Sequence, residues 1–336
     1  MNIIKADSAD TAMLESMYSL FAQSIDDGDM VHKKISKKEF AQKIFAGSSY
    51  VEPVVLAGSQ GEGFICGCTD RIQKKRFMTM IIVNKAMRQK GLGTALVKAL
   101  EKELYKDRLS FENSGSIAVE LSFFNPSAFE WKIPGYNASH PNVPGVDPDS
   151  LAYVLLEHLG YKTFAVQNSY FLSLENYVPE PEIVKKKREL EAQGITFEIY
   201  NKNIHKGMEA VLKELGNPLW EKEVLSEAPA AQGGRPVLVP VLDGHVQGFT
   251  GPLEVAFDGR GYFAGIGIGT RLRGKGVAKV LFCELCTALK AMGASFMTLF
   301  TGENNPARNI YEAAGFTVVR TWADMRKTLC NGSFNN

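Results

Sequence analysis

The 336-residue chain carries one pattern twice. Residues 78–105 (MTMIIVNKAMRQKGLGTALVKALEKELY) and residues 263–290 (FAGIGIGTRLRGKGVAKVLFCELCTALK) each read as a short apolar strand, a basic turn with two small residues one apart, and an amphipathic helix. In the second copy Val277, Val280, Leu281, Leu285 and Leu289 recur every three to four residues and Gly293 stands where a helix would stop, which predicts a helix with one face packed on a sheet. Downstream, residues 150–161 (SLAYVLLEHLGY) align without gaps on residues 305–316 (NPARNIYEAAGF), placing Gly160 on Gly315 and Tyr161 on Phe316. Two similar domains are expected, and the length agrees.

The copies differ in one place. Gly91 to Gly160 is 69 positions and Gly276 to Gly315 is 39, so the first copy holds 30 extra residues, located between Asn125 and Ser150. That stretch has five prolines and also Trp131, Tyr136 and His140, a composition that favours an ordered flap over a strand. Pro179-Glu-Pro181 opens a charged helix ending at Gly194, and a strand at Ile195–Tyr200 begins the second half as Asn2–Lys5 begins the first. The expected layout is an N-terminal domain at 1–175 with the insertion 125–150, a linker helix at 176–194, and a C-terminal domain at 195–336. Two like domains in one chain form an internal pseudo-dimer, so a monomer is expected.

With 38 basic and 37 acidic side chains the net charge is +1, and no segment has the basic excess that a nucleic-acid backbone demands. The absence of an apolar run near 18 residues and of a leader-like N-terminus points to a soluble, cytoplasmic protein without a membrane partner. The five cysteines (66, 68, 283, 286, 330) have no histidine near either pair, so no metal site is expected; they read as small buried hydrophobes. The partner is expected to be a small molecule.

The chemistry concentrates in the turn Arg271-Leu272-Arg273-Gly274-Lys275-Gly276-Val277-Ala278, where glycines, outward N–H groups and a helix start suit a phosphate. A dinucleotide loop needs G-x-G-x-x-G, which neither copy has. Gly269 to Lys275 fits G-x-x-x-x-G-K, but Gly276 follows where a Walker loop needs a Ser or Thr hydroxyl. The turn instead resembles the Arg/Gln-x-x-Gly-x-Gly/Ala pyrophosphate loop of the GNAT acyltransferases. Arg88-Gln89-Lys90-Gly91-Leu92-Gly93, followed by Thr94, matches it in the first half, and Arg273 to Ala278 in the second. Asn305-Pro-Ala-Arg-Asn309-Ile-Tyr311-Glu-Ala-Ala-Gly315-Phe316 is similar to the family's Asn-x-x-Ala-x-x-x-Tyr-x-x-x-Gly-Phe segment.

The resemblance implies an α/β (α+β) protein of two GNAT-like domains, each a mixed, mostly antiparallel sheet flanked by helices, with acetyl-CoA as cofactor. Its pantetheine arm would pair with backbone at Ile266, Gly267 and Ile268, between splayed strands, and its pyrophosphate would sit on residues 271–278, with Asn305 and Asn309 nearby. Alternating Gly265, Gly267 and Gly269 would leave a bare face on that strand, or else mark a bulge. Tyr311 would be the general acid, its ordinary pKa of about 10 keeping it protonated, or would pack as an aromatic against the sheet. The first half has Leu156 and Ser150 at the positions of Tyr311 and Asn305, which makes it the degenerate, non-catalytic half of a tandem layout similar to mycothiol synthase; the sequence leaves open whether its loop holds CoA. No acid lies in Tyr262–Gly269, where many members place the base. Glu303 and Glu254 remain, as bases or as surface carboxylates. Trp131, Tyr136 and His140 would stack on a substrate or form the core of the flap. The implied activity is N-acetylation of a small-molecule primary amine, with an amino sugar such as glucosamine as first choice. The alternative is a CoA-binding regulatory or structural protein.

Overall fold

The computed structural model describes residues 2–106, 116–225, 234–330 and 333. The chain divides into two compact units, Met1–Asn168 with Thr321–Asn336, and Ser169–Arg320.

Unit 1 runs β1 (Ile3–Lys5), α1 (Thr11–Asp26), α2 (Lys37–Phe45), β2 (Val51–Gly58), β3 (Gly63–Asp70), β4 (Lys75–Val83), α3 (Leu92–Lys106), β5 (Ser116–Leu121), β6 (Trp131–Lys132), β7 (Ser139–His140), α4 (Leu151–His158) and the start of β8 (Lys162–Ser173). Helix α1 begins where the Asp10 side chain accepts the Met13 N–H, and it buries Met13, Met17 and Phe21, spaced one turn apart. A reciprocal Ser36–Glu39 capping box starts α2. Strands β1 to β4 are antiparallel neighbours. Their two faces feed separate cores: Ile65 and Met78 lie under α3, while Phe64, Cys66 and Met80 lie under α1 and α2. In β4 the register skips Thr79, between Met78 and Met80. Parallel pairing to β5 is confined to Arg76 with Val119 and Phe77 with Glu120, so beyond Phe77 β4 continues to its loop paired with β3 alone. The chain's last strand, β16 (Thr317–Cys330), pairs antiparallel with β5 through Met325–Cys330, which is why residues 321–336 belong to this unit.

Unit 2 contains α5 (Pro181–Glu191), β9 (Ile195–Ile199), α6 (Met208–Leu215), α7 (Pro218–Leu225), β10 (Leu238–Leu242), β11 (His245–Val246), β12 (Gly248–Thr250), β13 (Arg260–Gly261), β14 (Ile266–Ile268), α8 (Val277–Ala291), β15 (Phe296–Gly302) and α9 (Arg308–Ala313). The counterpart of β4 is here broken in two. Strand β13 pairs in parallel with β15, and after an irregular stretch β14 pairs antiparallel with β12. Helix α8 buries the expected apolar face together with Phe282, Cys283 and Cys286. It ends at Gly293 (φ +94°), with the Ala294 N–H donating to Leu289 O and the Gly293 N–H to Lys290 O, a Schellman stop. Both units are thus mixed α/β with mostly antiparallel sheets.

Candidate active site

The two basic turns share one backbone. In the first, a single 3-10 turn at Lys85–Met87 precedes Arg88, which is extended, and left-handed Gln89 (φ +59°) and Gly91 (φ +87°) lead into α3. In the second, the 3-10 turn is Thr270–Leu272, Arg273 is extended, and Gly274 (φ +79°) and Gly276 (φ +84°) lead into α8. Each motif arginine ties the turn to its strand five residues back: Arg88 Nε donates to Val83 O at 3.1 Å and Arg273 Nη2 to Ile268 O at 3.3 Å. Left-handed residues at both places turn successive N–H groups outward at a helix start, where the first four N–H groups lack intrahelical acceptors.

Their charged surroundings differ. Arg88 Nη2 lies 2.6 Å from Asp29 Oδ2, and Lys85 lies 2.8 Å from Asp27 and 3.6 Å from Asp29. Lys85, first among the causes, holds the Asp27 carboxyl below the usual carboxylate range. In unit 2, Arg271 reaches Asp243 at 3.1 Å with both side chains well exposed. Arg273, Gly274 and Lys275 are exposed, Val277 is buried and Ala278 half-buried. On the first loop Lys90 is exposed, Leu92 buried, and Gly93 and Thr94 half-buried.

Ile266, Gly267 and Ile268 form β14, the terminal strand of the order β11-β10-β12-β14 among the described residues, so one backbone edge has no strand neighbour. The expected bare glycine face is filled. A Cβ at Gly265 would lie 2.4 Å from Trp220 Nε1 and one at Gly267 2.5 Å from Leu215 Cδ1; Glu214 Oε2 approaches the same position of Gly269 at 3.3 Å. Glycines here let α6 and α7 close on the strand. Trp220 Nε1 donates to Ala264 O at 3.2 Å, and the Thr270 N–H donates to Glu214 at 2.6 Å, which lowers that carboxyl's pKa.

Tyr311, on α9, is 6% exposed and sits in the same apolar core as Ile266 and Ile268. Its ring has Phe282 at 5.1 Å, Phe263 at 5.9 Å and Tyr170 at 6.1 Å. Burial first, and then the Tyr170 phenol, push the Tyr311 pKa up to about 12. The Tyr170 hydroxyl donates to Glu312 at 3.1 Å. Leu156, at the matching place in unit 1, is fully buried. Asn305 Oδ1 accepts the Ala307 N–H at 3.0 Å in the turn before α9, whereas Ser150 is the N-cap of α4 and its Oγ accepts the Tyr153 N–H at 3.2 Å; Asn309 is exposed.

The remaining candidates are dispersed. Glu254 forms an ion pair with Arg235 at 2.7 Å, and its backbone carbonyl accepts the Tyr262 N–H. Glu303 directly follows β15, and its carbonyl accepts from Arg308. Trp131 and His140 are buried and face each other in the β6–β7 pair of the insertion, with Trp322 packed edge-on to Trp131 at 5.0 Å. Tyr136 is exposed beyond that pair. Phe129, also from the insertion, joins the core under α1 and α2 with Phe21, Phe40 and Met80. Trp220, Leu215 and Glu214 escape a reading of the sequence, since alternating glycines announce a close approach without naming what approaches.

The sequence model of the Acetyltransferase (GNAT) family matches residues 36–119 and again residues 208–316, more than half of the chain. The chain belongs to the GNAT acetyltransferase family. It is therefore an acyltransferase by family, with one GNAT domain per repeat. No curated protein matches its sequence. Three solved structures resemble it over 97% of its length: the GCN5-related glucosamine N-acetyltransferase region of a fungal multi-domain GH3 β-N-acetylglucosaminidase (14% identity, TM-score 0.64), a GCN5-related N-acetyltransferase from Sphaerobacter thermophilus (18%, 0.62), and a tandem GNAT protein from the clavulanic acid biosynthesis pathway (14%, 0.56). The chain spans 38% of the fungal protein, 95% of the Sphaerobacter one and 98% of the clavulanic acid one. At such identities the likeness is one of fold.

Proposed function

We propose that the chain is an acetyl-CoA-dependent N-acetyltransferase whose chemistry lies in unit 2 and whose acceptor is the primary amine of a small molecule, an amino sugar such as glucosamine. The observation that carries this reading is the conjunction of the Arg273–Ala278 loop at the start of α8, the unpaired edge of β14 and the buried phenol of Tyr311 in one core. The residues fit CoA. Gly274 and Gly276 hold left-handed backbone with no Cβ over the N–H groups that would meet the pyrophosphate, and Ile266–Ile268 offer free backbone to an amide-containing arm. Acetyl-CoA supplies the acyl group and a thiolate leaving group. Tyr311 holds its proton on Oη throughout the physiological range, because its pKa is near 12, and can donate it where a thiolate develops. The rings of Phe263, Phe282 and Phe316 pack around the Tyr311 ring and fix its place in the core. Glu303 and Glu254 are the candidate acceptors for the proton shed by an attacking ammonium. Asn305 and Asn309 border the cofactor site at the start of α9.

Unit 1 supports the assembly without turnover in this reading. It has Leu156 in place of an acid, and its insertion drives Phe129 into the core beside Met80 of β4. The test is release of free thiol from acetyl-CoA across amino sugars, other amines and aminoglycosides. Turnover with one class sets the acceptor. CoA binding without turnover on any amine would favour a CoA-binding regulatory or structural protein.

A further inference from the structure

We propose that Lys186, on helix α5 ahead of the second GNAT domain, is a phosphate-binding residue of the unit 2 cofactor site; this rests on the reading of the Arg273–Ala278 loop as a CoA loop. Helix α5 packs on α8, and Lys187 fixes that packing through an ion pair with Glu284 at 2.8 Å. One residue earlier, the Lys186 stem lies across Gly276: a Cβ built on that glycine would meet Lys186 Cε at 3.0 Å, Cγ at 3.6 Å and Cδ at 3.7 Å. The ammonium is therefore delivered to the residue at which loop becomes helix.

Its present partner is weak. Lys186 Nζ is 3.1 Å from Glu189 Oε2, one turn along the same helix, with 37% and 46% of the two side chains exposed. An exposed pair of this kind contributes little to stability, and a phosphate offers a shorter, stronger charge-assisted contact without moving the backbone. Arg273 is exposed in the same turn, with Nη2 on the Ile268 carbonyl and its charge acting on Glu214, so a dianion here would meet two cations from different elements. Either the pyrophosphate or the 3′-phosphate of CoA supplies the chemistry that Lys186 recognises.

The test is titration calorimetry and steady-state kinetics on the full chain with Lys186→Met, which keeps the stem against Gly276 and removes the charge. CoA affinity is expected to fall about 5- to 10-fold, the loss to appear in KM for acetyl-CoA, and the salt dependence of binding to become shallower, while Lys186→Arg restores affinity to within about 2-fold. Repeating the comparison with dephospho-CoA assigns the phosphate: a vanished difference places Lys186 on the 3′-phosphate, and a persisting one on the pyrophosphate. Wild-type affinity and salt slope in Lys186→Met, with binding abolished in Gly276→Val, would overturn the role of Lys186 alone. Unchanged CoA binding in a folded Gly276→Val would instead overturn the loop reading on which it rests.

Discussion

The two phosphate-type loops have nearly the same backbone and unlike company. Gln89 and Gly91 in unit 1 repeat the left-handed geometry of Gly274 and Gly276 in unit 2, and both motif arginines anchor to the carbonyl five residues back. Yet the motif arginine of the first loop is itself ion-paired, Arg88 with Asp29 beside Lys85 with Asp27, whereas in the second the ion pair falls on the flanking Arg271 with Asp243, Arg273 bonds the Ile268 carbonyl, and Lys186 leans over Gly276. Backbone form alone therefore does not make two equal anion sites. What separates the loops is charge delivered by segments distant in sequence, the end of α1 in one case and the linker helix in the other.

The sharpest way to break this comparison is to damage the two loops separately. Gly276→Val puts a β-branched side chain at φ +84° and against Lys186, and it obstructs the N–H groups. Losing two charge-assisted hydrogen bonds of about 1.5–3 kcal/mol each corresponds to about a 10³-fold fall in kcat/KM for acetyl-CoA. Gly91→Val should cost stability but leave specific activity within about 2-fold of wild type. Equal damage from both variants, measured on folded protein by thiol release, would erase the distinction between the halves.

Next in size is the acid. Tyr311→Phe retains the ring that packs on Phe282 and Phe263, so CoA affinity should hold while kcat falls by about 10²-fold. Because the folded pKa is raised from 10 to about 12, wild-type kcat should show no loss from this group below about pH 10. An unchanged kcat in the variant would move the acid elsewhere.

A smaller effect tests the charge argument directly. Asp27→Asn with Asp29→Asn frees Lys85 and Arg88 without touching the loop, and CoA affinity at unit 1 should rise by about 10-fold, the scale of one or two half-exposed charges. Calorimetry should then show a second, weaker CoA site or an existing one tightened. No change in affinity or stoichiometry would mean that the acids are bystanders.

Sequence reveals a loop better than its surroundings, and the reason is range. The glycines and the arginine of each turn act on their own backbone within a few residues, and the apolar spacing of α8 reports its buried face directly. By contrast, Trp220, Leu215 and Glu214 meet Gly265, Gly267 and Gly269 across some 50 positions of chain, and no local pattern selects them. Tyr170 is invisible in the sequence as a neighbour of Tyr311 because it stands in what reads as the first domain, yet it belongs to unit 2. The pairing of residues 325–330 with β5 joins positions some 200 residues apart, and such a ladder leaves no mark on either strand alone.

The interiors of the two units extend the comparison and give the smallest prediction. At its fifth strand unit 1 buries Glu120 between Lys75 (3.1 Å) and Arg326 (2.8 Å), with Asp324 nearby accepting from Gln167 at 2.8 Å; in unit 2 Met297 pairs with Gly261 as Val119 does with Arg76, so the uncharged, buried Thr298 stands at the place of Glu120. Burial is the main cause that pushes the Asp324 pKa from 3.8 up to about 6, Glu120 adding to it and Lys75 opposing it. A carboxyl raised in the folded state stabilises that state fully below its unfolded value near 3.8, and the contribution is lost as pH rises through about 6. Urea titrations of wild type and Asp324→Asn should therefore diverge with pH, the wild type losing stability relative to the variant between about pH 4 and about pH 7. Because the charge is confined to unit 1, Tyr311-dependent turnover at neutral pH should not follow that curve. Parallel stability profiles would show that Asp324 ionises without penalty, and the contrast between a charged and an uncharged interior would then carry no energetic weight.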